Sequence, residues 1–298
     1  MASATTTAEL VQLKNILYPT DFSQPSELAL PFATSLARRY GATIHALHVL
    51  TPIVTPENGM SGIAVEAEVE NASRSMRDLD SQLVGLDHQT KVVNAPAVWD
   101  GVMNAVAGRS IDLIVIGTHG RSGVGRLLLG SVAEEVFRRS ACPVMTIGPG
   151  VRTSPHAGGR FHRILFATDH SRASAAAAPY AVSLAENNEA RLLLVYVARP
   201  IEEQKRDAGC QLSVAEMIHK LYDIVPEKAH LSVPPEVAIE YGSAAEQIVE
   251  AGKQRSADLI VLGVRSARRY LGSATHLARN IAHEVVARAA CPVLTVRE

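Results

Sequence analysis

Apolar residues along this chain fall into two alternating patterns. Runs that are apolar at nearly every position, such as Ile111-Asp112-Leu113-Ile114-Val115-Ile116, suit parallel strands covered on both faces. Between such runs, apolar residues recur three and four positions apart. One set is Leu28, Leu30, Phe32, Leu36 and Ala37; a second is Val65, Val69, Ala72, Met76, Leu79, Leu83 and Leu86; a third is Val98, Val102, Val106 and Ala107. These spacings predict helices that each turn one stripe toward a core. Strands are predicted from Asn15, ending in a turn by Ser23, then at Thr43 to Leu50, Lys91 to Asn94, Ile111 to Ile116 and Cys142 to Gly148. Pro25 suits the first turn of the first helix and Gly41 its close. Five rounds of strand and helix predict an α/β fold with a doubly wound parallel sheet and right-handed crossovers.

The pattern then starts again. Arg163-Ile164-Leu165-Phe166-Ala167-Thr168-Asp169-His170-Ser171 repeats the first strand and turn, with Asp169 on Asp21 and Ser171 on Ser23. Ala257 to Gly263 repeats the Ile111 strand, and Cys291-Pro292-Val293 repeats Cys142-Pro143-Val144. The chain therefore reads as a tandem duplication, with domains at 1–149 and 162–298 and a breaker-rich linker at 150–161. Ser243-Ala244-Ala245-Glu246 predicts a capping box at a helix start in the second copy.

Composition narrows the class without choosing a function. The 298 residues carry 29 basic and 30 acidic side chains, a formal charge of -1, so no global field points to nucleic acid or a membrane surface. No apolar run approaches the ~20 residues that span a bilayer. The polar start Met1-Ala2-Ser3-Ala4-Thr5-Thr6-Thr7 lacks a basic and then apolar leader pattern, so a cytoplasmic location is the expectation. Cys142, Cys210 and Cys291 have no paired spacing and are expected to be reduced thiols, not a disulfide framework or zinc site. Among the 11 histidines, His45 and His48 lie three apart on one strand and hence on opposite faces, a poor metal pair.

The chemistry concentrates after the Ile111 strand, in Gly117-Thr118-His119-Gly120-Arg121-Ser122-Gly123-Val124-Gly125-Arg126 and on to Gly130-Ser131. A glycine-rich loop between a buried strand and a helix start near Ser131 lets a ligand approach backbone N–H groups that carry the positive end of the helix dipole. Phosphate is the natural guest, with Arg121, Arg126 and the Ser131 hydroxyl as further donors. A flexible glycine loop without a ligand is the alternative.

With both copies in view, the chain resembles a tandem universal stress protein over essentially its whole length. The resemblance rests on Gly117, Gly120, Gly130 and Ser131, spaced as glycine, two residues, glycine, nine residues, glycine and serine. It rests also on the opening Ile16-Leu17-Tyr18-Pro19-Thr20-Asp21-Phe22-Ser23 and the Cys-Pro-Val strand. It implies an adenine nucleotide alpha hydrolase-like fold of two five-stranded sheets, each in the order 3-2-1-4-5, with ATP at the switch point between the first and fourth strands. The positions it implies for ATP, with or without Mg²⁺, are Pro19, Asp21, Val49, Ile116, Gly117, His119, Gly120, Arg121, Gly130, Ser131 and Val132. Asp21 would accept from ribose hydroxyls, or else only cap its own turn. Val49 and Ile116 would wall the adenine, or else serve only as core, and His119 would touch the nucleotide or stay a solvated loop residue. The resemblance also implies that the fifth strands, Val144 to Ile147 and Val293 to Val296, pair as an internal pseudo-dimer, with a further homodimer possible.

The second copy departs from the signature. Arg279 and Asn280 stand where the first copy has Gly130 and Ser131, Ser266 stands at Gly120, and Ala167 at Pro19. The second domain is therefore not expected to bind ATP in the same manner, while Asp169 and Val197 leave a smaller ligand open. No Walker ending, Rossmann glycine set, nucleophile elbow or His-Glu-x-x-His helix occurs. The leading expectation is an ATP-binding stress regulator that meets an unidentified protein partner, is not an enzyme or hydrolyses at most weakly, and binds neither nucleic acid nor membrane. A slow ATPase and a nucleotide-independent scaffold are the alternatives.

Overall fold

The computed structural model describes residues 11–52, 62–118, 130–151, 160–198, 213–265 and 281–298, with side chains from residue 66 in the helix that opens at Gly62. Contacts group these into a first unit, Leu13–Arg160, and a second, Phe161–Glu298 together with Val11 and Gln12. Val11 donates its N–H to Ser183 Oγ at 2.8 Å.

In the first unit, β1 (Asn15–Pro19), β2 (Thr43–Leu50), β3 (His88–Asn94), β4 (Leu113–Gly117) and β5 (Val144–Ile147) run in the order β3-β2-β1-β4-β5. Every pairing along that order is parallel. β4 and β5 are buried at every position, the consequence of apolar runs with helices over both faces. β3 begins three residues before the sequence suggests, because His88, Gln89 and Thr90 pair with β2 although a polar edge strand carries little apolar signal.

The first predicted helix is in fact two, α1 (Gln24–Glu27) and α2 (Leu30–Tyr40). Pro31 explains the break, since it lacks the N–H that an unbroken helix would use at that position. α3 (Gly62–Gln82) buries Ala72, Met76 and Leu79, and Leu83 just beyond it. Val69 departs from the predicted core-facing stripe: it is 41% exposed. Leu86 is half-buried beyond the helix end, and the Val65 side chain lies outside the described residues. α4 (Val98–Arg109) and α5 (Ser131–Arg139) complete the unit, Arg139 lying over the Trp99 ring at 4.6 Å.

The second unit repeats this with β6 (Arg163–Thr168), β7 (Arg191–Ala198), β8 (Glu236–Tyr241), β9 (Leu259–Val264) and β10 (Val293–Arg297), ordered β8-β7-β6-β9-β10 and parallel throughout. Its helices are α6 (Arg172–Asn188), α7 (Val214–Tyr222), α8 (Ala244–Gln254) and α9 (Ile281–Arg288). The capping box forms at Ser213 and Glu216 at the start of α7. Ser243, where the sequence suggested one, makes no side-chain cap, and Glu246 instead lies 3.7 Å from Arg288. Among the described residues no helix is long and apolar enough to cross a membrane.

Candidate functional site

The carboxyl end of β1 is held by hydrogen bonds that begin in its core. Tyr18 is buried and donates its hydroxyl to the Ser26 carbonyl at 2.8 Å; burial pushes its pKa up to about 12, so the phenol is a neutral anchor. Thr20 Oγ1 lies 3.1 Å from Ser26 Oγ and accepts the Phe22 N–H at 3.0 Å. Asp21 Oδ1 accepts from Ser23 N–H at 3.1 Å and Ser23 Oγ at 2.5 Å, an Asx turn that sets Ser23 to cap α1. The turn role of Asp21 is thus real, and the same residue lines the cavity described next. Phe22 takes a left-handed backbone, φ 58°, rare for a bulky residue.

β4 and α5 form the opposing side. A Cβ on Gly117 would overlap the carbonyl oxygen of Pro25, so this glycine is required by the close approach of β4 to α1 irrespective of any ligand. Gly130 donates its N–H to the Thr118 carbonyl, bringing together the two residues that flank 119–129. As N-cap of α5, Gly130 brings no side chain to the first-turn N–H groups, which leaves the positive end of the dipole open to an anion.

These elements enclose a cavity of about 450 Å³ where the strand order reverses between β1 and β4. Pro19, Asp21, Val49, Ile116, Gly117, Gly130, Ser131 and Val132 all line it. His119, Gly120 and Arg121, also expected there, lie outside the described residues, as does Arg126. The lining adds Thr20, Ser26, Leu47, His48, Thr51, Val98, Thr118 and Ala133, which the sequence reading did not place. Several adjoin residues it did place, and position at the carboxyl ends of β1 and β2 was the signal that could have found them. Among the described residues no group of three or more His, Cys, Asp or Glu is arranged to hold a metal. Cys142 is buried with its thiol donating to the Ile111 carbonyl at 3.3 Å. Burial first, and then Asp112, push its pKa up to about 12, leaving an unreactive thiol.

The second unit has a corresponding cavity of about 510 Å³, lined by Ala167, Asp169, Val195, Val197, Leu262, Gly263, Arg265 and Ile281 among others. Gly263 repeats the close approach: a Cβ there would overlap the Ala173 backbone. Burial raises the Asp169 carboxyl, but hydrogen bonds from Ser171 and Ser174 outweigh it and hold the group below the usual carboxylate range. Arg265 Nη2 stands 3.8 Å from Asp169 Oδ2, and Ile281 begins α9. Arg279, Asn280, Ser266 and the Gly272-Ser273 pair lie outside the described residues.

The family model of the universal stress protein family matches this chain twice, over residues 12–148 and 160–297. A universal stress protein of Mycolicibacterium smegmatis is 26% identical over 301 residues, covering 95% of this chain and 96% of that one. A universal stress protein of Methanocaldococcus jannaschii is 31% identical over 140 residues, covering 45% of this chain and 81% of the relative. Among solved structures, a universal stress protein from Archaeoglobus fulgidus DSM 4304 aligns at a TM-score of 0.73 with 20% identity, over 96% of this chain and 99% of that one, a likeness of fold. With one family match on each five-stranded unit, the chain belongs to the universal stress protein family, as a tandem member carrying two such domains.

Proposed function

We propose that the first unit binds ATP in the cavity at the β1/β4 switch point and that the chain is a nucleotide-responsive stress regulator. The observation that carries this reading is the convergence of Pro19, Asp21, Val49, Ile116, Gly117, Gly130, Ser131 and Val132, from four separate stretches of sequence, on one cavity of ligand size. The first-turn N–H groups of α5 and the Ser131 hydroxyl would hold phosphate oxygens, Val49 and Ile116 would flank the base, and Asp21 would accept from ribose hydroxyls. His119, Gly120 and Arg121 belong to this proposal through the family resemblance. Mg²⁺ enters as the partner of the triphosphate. The protein partner, the cytoplasmic location and the pairing of the fifth strands belong to the same proposal; a solution scattering profile of two independently tumbling lobes contradicts the pairing.

For the second unit we propose no triphosphate binding of this kind. Its carboxylate Asp169 already faces Arg265, and Ile281 stands at the helix start where the first unit has Val132. The test is thermal unfolding of the whole chain with Mg·ATP. At a hundred times its dissociation constant a ligand adds about 2.7 kcal/mol, so the first unit's transition should rise measurably. Gly130→Asp, which sets a carboxylate where phosphate would sit, should abolish the rise. No rise in the unaltered protein refutes the reading, and an undiminished rise in the variant moves the site elsewhere.

A further inference from the structure

Three arginines meet at the end of the second unit's sheet opposite its switch-point cavity. Arg163 opens β6, Arg191 opens β7, and Arg255 follows the last residue of α8. With Glu236, the first residue of β8, they line a separate cavity of about 190 Å³ whose walls include the buried Leu165 and Leu192.

The carboxylate in that cavity does not saturate the cations around it. Arg191 Nη1 lies 3.9 Å from Glu236 Oε1 and Arg255 Nη1 lies 3.4 Å from Glu236 Oε2, both longer than the ~2.8 Å of a close charge-assisted bond. One carboxylate is thus shared loosely between two guanidinium groups. Arg163 Nη1 donates to the Arg255 carbonyl at 2.8 Å, the contact a cation makes at the negative end of a helix. Glu236 and that helix end together set about one and a half negative charges against three positive ones. Asp258 adds little, because its Oδ2 accepts the His162 and Arg163 N–H groups and the residue is not part of the lining. Among the described residues the three guanidinium groups have no further partner, although each carries five N–H donors. The Arg191 and Arg255 side chains are 60% and 46% exposed, so a dissolved ion reaches them.

The first unit shows which of these cations the fold itself requires. Arg109, the last residue of α4, corresponds to Arg255, so a helix-end arginine is common to both units. The strand pair is not. Arg163 and Arg191 are register partners on neighbouring strands, and the same register in the first unit holds the neutral pair Asn15 and Thr43. Like charges side by side on a sheet cost stability unless an opposite charge lies between them. Glu236, whose counterpart is Gln89, supplies only part of that charge.

We propose that Arg163, Arg191 and Arg255 hold a small, doubly charged oxyanion of the phosphate kind at the amino ends of β6 and β7. The planar fork of each guanidinium matches a pair of phosphate oxygens, and the apolar walls strengthen the attraction. At about 190 Å³ the cavity is smaller than sites for drug-sized ligands, which begin near ~300 Å³, so the guest is inorganic phosphate or the head of a small phosphomonoester and not a nucleotide. This site does not depend on the nucleotide reading of the first unit.

The test is calorimetric titration of the whole chain with inorganic phosphate, at an ionic strength held constant with chloride so that general screening does not count. It is carried out on the Gly130→Asp chain, so that phosphate held at the start of α5 does not contribute. Saturable binding at one site is expected. Arg163→Asn with Arg191→Thr, which installs the pair the first unit already holds in this register, should weaken it about tenfold or more. Glu236→Gln, which removes the competing carboxylate, should tighten it. A misfolded variant cannot imitate that gain. Glycerol phosphate then separates the two sources: tighter binding than inorganic phosphate assigns the site to a monoester, weaker binding to the free ion. The absence of saturable binding by either, undiminished binding in the double variant, or unchanged or weaker binding in Glu236→Gln each overturns the proposal.

Discussion

The two units of this chain are the same fold built from different residues, and the places where they agree differ in kind from the places where they part. Both keep a glycine where the fourth strand of the unit meets the helix after the first, Gly117 against Pro25 and Gly263 against Ala173. Both keep an aspartate whose Oδ1 accepts the N–H two residues on, and both set the next residue, Phe22 or His170, in a left-handed conformation. Both leave a cavity at the switch point. These shared features are demands of the fold. A motif glycine such as Gly117 is therefore poor evidence for a ligand, since a unit with a changed signature needs it equally. Gly130, where the second copy has Arg279, and His48, where it has Tyr196, are where the first unit stands apart.

The same lesson holds for proline. Pro31 divides the first helix into α1 and α2, whereas Pro179 sits inside the unbroken α6. An identical residue at a corresponding position breaks one helix and is absorbed by another, so its effect is decided by the surrounding packing.

The comparison is tested most severely at the paired glycines. Gly117→Ala and Gly263→Ala should each destabilise their own unit by about 3 kcal/mol, because the new methyl overlaps backbone that cannot turn aside. Denaturant unfolding should show two similar losses. If Gly117→Ala weakens nucleotide binding with no loss of stability, the glycine serves the ligand and the shared-packing argument fails. A smaller effect is expected at helix starts of the second unit. Ser213→Ala removes a complete capping box and should cost about 1 kcal/mol in thermal unfolding, whereas Ser243→Ala, which removes no side-chain cap, should cost well under half of that. Equal losses would show that the two serines act through something other than capping.

The smallest expected effect is a slope with pH. His45 is buried in the first unit, with Nε2 2.9 Å from Asn15 Oδ1 and Nδ1 without a partner, and its pKa is lowered by burial first and by Arg109 second. The unfolded chain, with an imidazole near ~6.5, takes up a proton that the folded unit resists. Stability contributed by this group is therefore present above the unfolded pKa and is lost as pH falls through it toward the lower folded value. Leu193 occupies the corresponding place in the second unit. His45→Leu should flatten the acid limb of the first unit's stability curve; an unchanged slope would assign the acid sensitivity to other groups.

The alternation of apolar runs with helical spacing, the duplication, and the family signature were legible in the sequence. So were the residues Pro19, Asp21, Val49, Ile116, Gly117, Gly130, Ser131 and Val132 that meet at the first cavity. They were legible because strand and helix periodicity and turn chemistry are local, set within a few residues. What the sequence did not disclose depends on partners far away in the chain. That Val69 faces outward, that the capping box forms at Ser213 instead of Ser243, and that Gly117 is required by Pro25 all follow from what packs nearby in space. His48 is the clearest case. The sequence placed it on a strand and discarded it as a metal ligand. Only the tertiary structure ties its Nδ1 to a carbonyl 28 residues earlier, sets the Phe22 ring against it and places the residue in the lining of the cavity.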